Sequence, residues 1–493
     1  MREAHTVDTV RRAEGALMAR LPEGALMRRA AAGLAAVAAR MLPRVYGARV
    51  ALLVGGGDNG GDALYAGATL ARRGAAVRAV PAGPRVHEAG LAALRAAGGR
   101  LVGAEEAEGE ISAADLVIDG LVGIGGRGGL RASHAVLAGY ATRSGAPVLA
   151  VDLPSGVDAD TGAVEGEAVH ADVTVTFGTH KPGLFVDPGA GHAGVVEFVD
   201  IGLGPELPAP RLCAPRADDI AALLPRPGVE SDKYRRGVLA VAAGSGRYRG
   251  AAVLAVGGAL RAGVGMVRYI GQESVAAEVI RHWPEAVASV LEPTDPAGRL
   301  PTHVGAWVIG PGRGLHPAAE VELETVLAGD RPVLVDADAI TLLGRRPHLV
   351  RDRTAPTLLT PHAGELARLL PGTERDDIEA RRLEHATRAA EEYGCTVLLK
   401  GSTTVIAEPG APAVANPTGT PLLATAGSGD VLSGLSGALL AGGLTPGAAA
   451  MCGAFLHGLA GRLAHDGAPV SASDLIGAIP AAVRLVEEAG GRR

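Results

Sequence analysis

Hydrophobic and polar positions follow two different periods along the chain. Residues 8–40 space apolar side chains at helical intervals, in DTVRRAEGALMAR and ALMRRAAAGLAAVAAR, and Pro22 separates the two stretches. That pattern predicts two amphipathic helices. From residue 49 the chain turns to short aliphatic runs, each closed by a Gly-rich or acidic turn and followed by a helical stretch. In the first half the runs are RVALLVG (49–55), VRAVPAG (77–83), ADLVIDG, APVLAVD and ADVTVTFG. Continuous aliphatic strands alternating with helices predict a parallel sheet covered on both faces. The rhythm breaks at Pro205–Pro215, PELPAPRLCAP, whose proline density reads as an extended linker. A short helix, RADDIAALL, and a polar loop with Lys233, Arg235 and Arg236 come next; the loop either approaches phosphates or is a solvated surface. Then the runs resume with GVLAVAAGSG, AWVIGPGRG, PVLVDADAITLL, TLLTPHAGELARLL and CTVLLKGSTTVIA, the last read as a strand ending in Lys400–Thr404. The expectation is an α/β protein of two domains, residues 1–205 and 217–493, the first a Rossmann-like three-layer domain.

Composition supports this and narrows the partners. Of 493 residues, 47% are hydrophobic but only 3% aromatic, so the cores must be aliphatic. The net charge is −6 and no long basic run occurs, which leaves bulk electrostatics no basis for nucleic-acid binding. Cys213, Cys395 and Cys452 lie far apart without metal-ligand spacing, as expected of free thiols in a reducing compartment. The first twenty residues carry acids and lack an apolar segment, and no run of about 18 apolar residues marks a membrane span. A cytoplasmic protein without membrane attachment is therefore expected.

The turns carry the candidate chemistry. In the first half, Asn59 and Asp62, Asp119, and Asp152 with Ser155 stand at three strand ends. In an open parallel sheet such ends converge on one crevice. In the second half the organising stretch is Thr425–Gly434, TAGSGDVLSG. Glycines there let backbone N–H groups face an anion, and the helix N-terminus adds unpaired donors. Asp430, in the first turn, is placed to take a proton from a substrate hydroxyl while the Gly427–Gly429 amides hold phosphate charge.

Residues 8–203, through GGGDNGGDALYAGATLARRG, IDGLVGIGGRGGL and VDLPSGVDADTG, resemble the NAD(P)H-hydrate epimerase domain. The resemblance implies a hydrated-nicotinamide nucleotide site at Asp58, Asn59, Gly60, Gly61 and Asp62, at Gly123, Ile124, Gly125, Gly126, Arg127, Gly128 and Gly129, and at Asp152. It also implies potassium near Asn59, Asp119 and Ser155. Two positions depart from the family pattern: Asp58 replaces an asparagine and Ala63 a glycine. Residues 217–486, through GAA, GPGRG, VDADAI, LTPHAGELARL, LLKGSTTVIA and TGTPLLATAGSGDVLSG, resemble the ribokinase-like ADP/ATP-dependent NAD(P)H-hydrate dehydratases. That implies a ribokinase-like C-terminal domain, usually self-associating, so that a homo-oligomer is expected. It implies hydrate contacts at Ala252, Gly312, His362 and Asp430, and adenine-nucleotide contacts at Lys400, Gly401, Ser402, Thr403, Thr404 and Gly429. ADP is the expected phosphoryl donor, with ATP possible, and magnesium would bridge the donor phosphates. Together the halves resemble bifunctional enzymes that epimerise hydrated NADH and NADPH and dehydrate the S epimer, with Asp152 as the proton-transferring group of the first reaction. The alternatives are a ribokinase-type small-molecule kinase, which has no need of the first half, and a nucleotide-binding protein without turnover.

Overall fold

The aliphatic runs of the first half pair edge to edge. In the computed structural model, which describes residues 1–291, 300, 301 and 303–491, one unit comprises Glu3–Leu212. Its strands lie in the order Arg100–Leu101, Ala76–Pro81, Arg49–Val54, Leu116–Gly120, Val148–Val151, Val173–Phe177 and Val195–Val199, all parallel. Alternate residues face opposite layers, as the period of two requires. Leu52 and Val54 pack with Leu34, Leu64 and Leu70 on one face, while Leu53 and Val117 pack with Ile111, Leu137 and Ala141 on the other. The helices Val7–Met18, Ala25–Met41 and Asp58–Arg72 contribute to the first layer, and Ala107–Ser112 and Ala132–Ser144 to the second. Strand order reverses between Arg49–Val54 and Leu116–Gly120, whose register pairs Val54 with Gly120. The turns after both strands therefore open at one level, where a doubly wound sheet has its ligand crevice.

The other unit holds Cys213–Arg493 with Met1 and Arg2. Across it run Ala413–Ala415, Val405–Ala407, Thr396–Leu399, Thr357–Leu359, Val333–Val335, Ala306–Ile309, Val238–Ala242, Met266–Gly271 and Val287–Val290. The last seven are parallel, and the first two add antiparallel. The helix Ser428–Ala441 meets the helix Arg249–Arg261 backbone to backbone. A Cβ on Gly434 would strike the carbonyl of Ala255, and one on Gly258 the carbonyl of Val431. Only glycine permits this approach.

Two expectations need correction. CTVLLKGSTTVIA is a hairpin: Thr396–Leu399 and Val405–Ala407 pair antiparallel, and Lys400–Thr404 is the turn between them. Pro205–Pro215 is not free of elements, because the 3-10 turn Gly204–Glu206 and the strand Leu212–Ala214 fall in or across it. Among the described residues no helix is long and apolar enough to cross a membrane.

Candidate active sites

In the first unit the strand Arg49–Val54 ends in Gly55–Gly57 and passes directly into the helix Asp58–Arg72. Gly60 is required because a Cβ there would meet the carbonyl of Gly55. The tight turn leaves Asp58 exposed and buries Asp62. Ala63 is accommodated by a glycine opposite it, since a Cβ on Gly120 would fall 2.7 Å from the Ala63 methyl.

Asp152 follows the strand Val148–Val151 with a φ of 66°, which turns its carboxylate back under the sheet end. There it accepts from the Phe177 N–H at 3.2 Å, from the Thr176 hydroxyl at 3.3 Å, and from the Lys181 ammonium. Lys181 is almost fully buried and also donates to Thr176 Oγ1 and to the Phe177 carbonyl. The sequence reading passed over Lys181. Its only signal was a lysine in FGTHKPG, just beyond a strand end. Glu14, on the first helix, was passed over as well. Burial raises its pKa, with Lys181 opposing and Asp152 and Asp58 assisting. Asp62 is held well above the carboxylate range by burial, then by Asp152, Asp58 and Glu14. The crevice thus presents a buried carboxyl with a raised pKa, Asp62, near an ion pair, Asp152–Lys181.

Asp119 and Ser155 are brought together. The Ser155 hydroxyl donates to Asp119 Oδ1 at 2.7 Å and its N–H to Oδ2 at 2.8 Å. Asp119 is fully buried, and burial lifts its pKa to about 6 against these hydrogen bonds. The Val122 carbonyl lies 3.1 Å from Ser155 Oγ, and Asn59 has a buried amide nitrogen without a hydrogen-bond partner. Side-chain amide N and O are interchangeable by rotation. A buried carboxylate among hydroxyl, carbonyl and amide oxygens fits a large alkali cation. Gly123 approaches Asn59, a Cβ there falling 2.7 Å from Asn59 Oδ1. The Gly123–Gly129 loop, with Ile124 and Arg127, therefore flanks the same turn.

In the second unit Gly427, at a φ of 85°, opens the helix Ser428–Ala441 and places Asp430 in its first turn. Burial, followed by Asp336, raises Asp430 to about 7, with Lys400 opposing. Lys400 Nζ donates to Asp336 Oδ1 at 2.6 Å and lies 3.8 Å from Glu365 Oε2. Ser433 donates to the other Asp336 oxygen at 2.6 Å. A Cβ on Gly429 would lie 3.6 Å from Lys400 Nζ, so Gly429, Asp430 and Lys400 share one site. The Lys400 N–H donates to the Pro361 carbonyl, which sets Lys400 beside His362. His362 caps the helix Ala363–Leu369 in a reciprocal box with Glu365, and its side chain stays half exposed. Burial and Lys400 lower its pKa. His457, fully buried and lowered to about 4 by that burial, makes a 2.9 Å hydrogen bond to the Ser428 carbonyl. Neutral at any working pH, it donates, and so anchors the Gly427–Gly429 loop.

Gly312 has a φ of 60°, and a Cβ on it would meet Ala251 at 2.8 Å. It thus lies over the start of the helix that carries Ala252, whose own side chain is fully buried against Gly244. The Gly314 N–H donates to Asp338 at 2.7 Å. Arg313 forms a buried two-pronged pair with Glu322, at 2.6 and 2.9 Å, and donates to the Gly244 carbonyl. This pair ties the two glycine turns to each other. In the Lys400–Thr404 turn, Gly401 and Ser402 are exposed and Thr403 is buried. The Arg382 guanidinium lies against Gly401. The Lys233–Arg236 loop is a solvated surface: Arg235 pairs with Asp232 and Arg236 donates to the Gly263 carbonyl.

Two family profiles match the chain. One described as NAD(P)H-hydrate dehydratase matches residues 239–481, and one described as YjeF-related protein N-terminus matches residues 23–183. The bifunctional NAD(P)H-hydrate repair enzyme Nnr of Mycobacterium leprae is 49% identical, covering 98% of this chain and 99% of its own. The enzyme of the same name from Moorella thermoacetica is 36% identical, covering 90% and 89%. Among solved structures, the ADP/ATP-dependent NAD(P)H-hydrate dehydratase of Bacillus subtilis, co-crystallised with ATP and Mg²⁺, is 30% identical. It superposes with a TM-score of 0.51 over 55% of this chain and 98% of its own.

Proposed function

The chain belongs to the family of bifunctional NAD(P)H-hydrate repair enzymes, and on that premise we propose how its residues divide the work. The enzyme epimerises hydrated NAD(P)H and dehydrates it to NAD(P)H. In the dehydratase half, Asp430 removes the proton from the hydrate's hydroxyl. The freed oxygen attacks the terminal phosphorus of ADP, and the bond to AMP breaks. Phosphate then leaves the ring carbon, pushed by the ring nitrogen's electron pair, and loss of a ring proton restores the double bond. The observation that carries this reading is Asp430 itself: a carboxylate in the first turn of a helix, beside Lys400, with a pKa near working pH. A base tuned to the operating pH combines availability with proton affinity.

Lys400, Gly401, Ser402, Thr403, Thr404 and Gly429 would hold the nucleotide, and Ala252, Gly312 and His362 the hydrate. The neutral His457 keeps the amide pocket of Gly427–Gly429 fixed. Magnesium, when bound, neutralises charge on the donor phosphates. Among the described residues no three His, Cys, Asp or Glu side chains form a metal cage, which fits an ion held mainly by phosphate and water. In the epimerase half, Asp152 moves the proton, Lys181 orients it, and the buried Asp62, whose pKa is raised, lies beside them. Asn59, Asp119 and Ser155 would hold potassium, whose charge would offset the buried Asp119. Free thiols at Cys213, Cys395 and Cys452 and dinucleotide substrates support a cytoplasmic setting, and the ribokinase-like core supports a homo-oligomer.

The test uses purified epimers with each nucleotide. With ADP, the S hydrate should return its nicotinamide absorbance and yield one AMP and one phosphate per turnover. Nucleotide binding without these products would overturn the reading.

The unit boundary at Leu212/Cys213 carries a second expectation. A chain beginning at Cys213 should fold, dehydrate the S epimer at the full-length rate, and repair the R epimer only as fast as it converts spontaneously. Insoluble protein from every cut between 205 and 217 would show that the halves depend on one core.

A further inference from the structure

The first unit contains a cleft of about 480 Å³ that opens beside the polar turn. Its walls include the Gly125–Gly129 loop, Gly56 and Gly57, and the Gly156–Val157 segment just after Ser155. Gly56 lies against Arg85, a Cβ there falling 3.2 Å from that of Arg85, while Gly123 lies against Asn59. The cleft therefore adjoins the turn that carries Asn59. Its ionisable lining has one sign: Arg85, Arg127 and Arg131, with His134 in the first turn of the helix Ala132–Ser144. No carboxylate is part of this lining. Two acids stand near the loop: Glu165, whose Oε2 would lie 3.7 Å from a Cβ on Gly128, and Asp160, which feels the charge of Arg127.

Some exposed arginines elsewhere in this unit pair with acids, Arg20 with Glu206, Arg40 with Glu197, Arg49 with Glu110 and Arg143 with Glu108. Among the described residues, the three cleft arginines form no ion pair. In a chain of net charge −6, three unpaired arginines on one concavity of glycine backbone are arranged for an anion. Guanidinium forks and open N–H groups match phosphate oxygens. Burial and Arg131 hold His134 below the ordinary imidazole value, so a phosphate arriving there would favour its protonation.

We propose that this cleft is a phosphate-ester subsite of the epimerase centre, in which Arg85, Arg131 and His134, together with Arg127, grip a phosphoryl group of the hydrated dinucleotide. The proposal rests on the reading that the ring sits by Asp58–Asp62 and Asp152. Two phosphoryl groups have the required chemistry: the bridging pyrophosphate, present in both hydrates, and the 2′-phosphate, present only in hydrated NADPH.

The experiment measures epimerisation kinetics of the full chain with both hydrates, for wild type, Arg85→Gln, Arg131→Gln and the double variant. Because the other unit is expected to dehydrate the S epimer by itself, the control for folding is the thermal unfolding of each variant followed by circular dichroism, which should match wild type. Loss of one charge-assisted contact should raise KM about tenfold per arginine with kcat nearly constant. A rise for both hydrates assigns the pyrophosphate, and a rise for hydrated NADPH alone assigns the 2′-phosphate. An unchanged KM for both in the double variant overturns the subsite and leaves Asp152's role standing. A loss confined to kcat also overturns it, because it would put the arginines at the ring. Normal epimerisation by an Asp152→Asn chain overturns the ring-site reading, whatever the arginines do.

Discussion

Asp430→Asn is expected to lower the dehydration rate by about 10²–10⁴, the usual range for loss of a general base, without lowering the melting temperature at neutral pH. Asparagine keeps the size of the side chain in the first turn of the Ser428–Ala441 helix but cannot take the hydroxyl proton. The stability side follows from the sign of the shift. Folding raises this carboxyl from the ordinary range to about 7, mainly by burial, so the folded state binds the proton more tightly than the unfolded chain. The associated destabilisation is absent at acid pH, grows as pH rises from about 4, and is complete above about 7. The variant should thus melt higher than wild type at pH 8 and alike at pH 4. In the wild type, kcat/KM for dehydration should fall tenfold per pH unit below about 7, and that limb should vanish in the residual activity of the variant. Wild-type turnover in Asp430→Asn would reduce Asp430 to a helix-terminal carboxylate. A lower melting temperature at pH 8 would show that the charge is better compensated than its surroundings indicate.

Asp152→Asn is expected to abolish enzymatic epimer exchange while leaving dehydration of the S epimer intact. When a mixed hydrate is repaired, absorbance returns in two phases, and the second should slow to the spontaneous rate. Asparagine is the suitable replacement because it tolerates the left-handed backbone of this position, where φ is 66°. Its amide oxygen can still accept from Lys181. Lys181→Met is a harsher change, since it strands a buried carboxylate and should cost about 3–5 kcal/mol of stability. A normal second phase in Asp152→Asn would transfer the proton to another group, with Asp62, Glu14 and Asp58 next to examine.

The strand–turn–helix rhythm was legible because buried parallel strands must be aliphatic on both faces, as Leu52 and Leu53 are. Val195–Val199 and Val287–Val290 were not, because as partly exposed edge strands they lack that signature. VLLKGSTTVIA misled in another way. Thr403 and Thr404 suit a strand and blur the turn signal of Gly401 and Ser402, and the antiparallel return is visible only in the pairing of Leu399 with Val405. Asp430 could be read from its neighbours in the chain, since a Gly-rich turn before a helix is a local arrangement. Lys181 could not, because its role comes from Asp152, 29 positions away, lying across the sheet end. The basic cleft escaped for the same reason: Arg85 and Arg131 are ordinary surface residues until the fold sets Gly56 beside Gly125.

The glycine contact between the helices Ser428–Ala441 and Arg249–Arg261 has a consequence for how the dehydratase half closes on its substrates. With Gly434 seated on the Ala255 carbonyl and Gly258 on that of Val431, neither helix can slide or rotate without a backbone collision. Asp430 and the small-residue start of the Arg249–Arg261 helix are therefore held on one rigid base. On the proposed assignment of the nucleotide to Lys400–Thr404, any adjustment between donor and acceptor falls to that turn, where Gly401 and Ser402 are exposed.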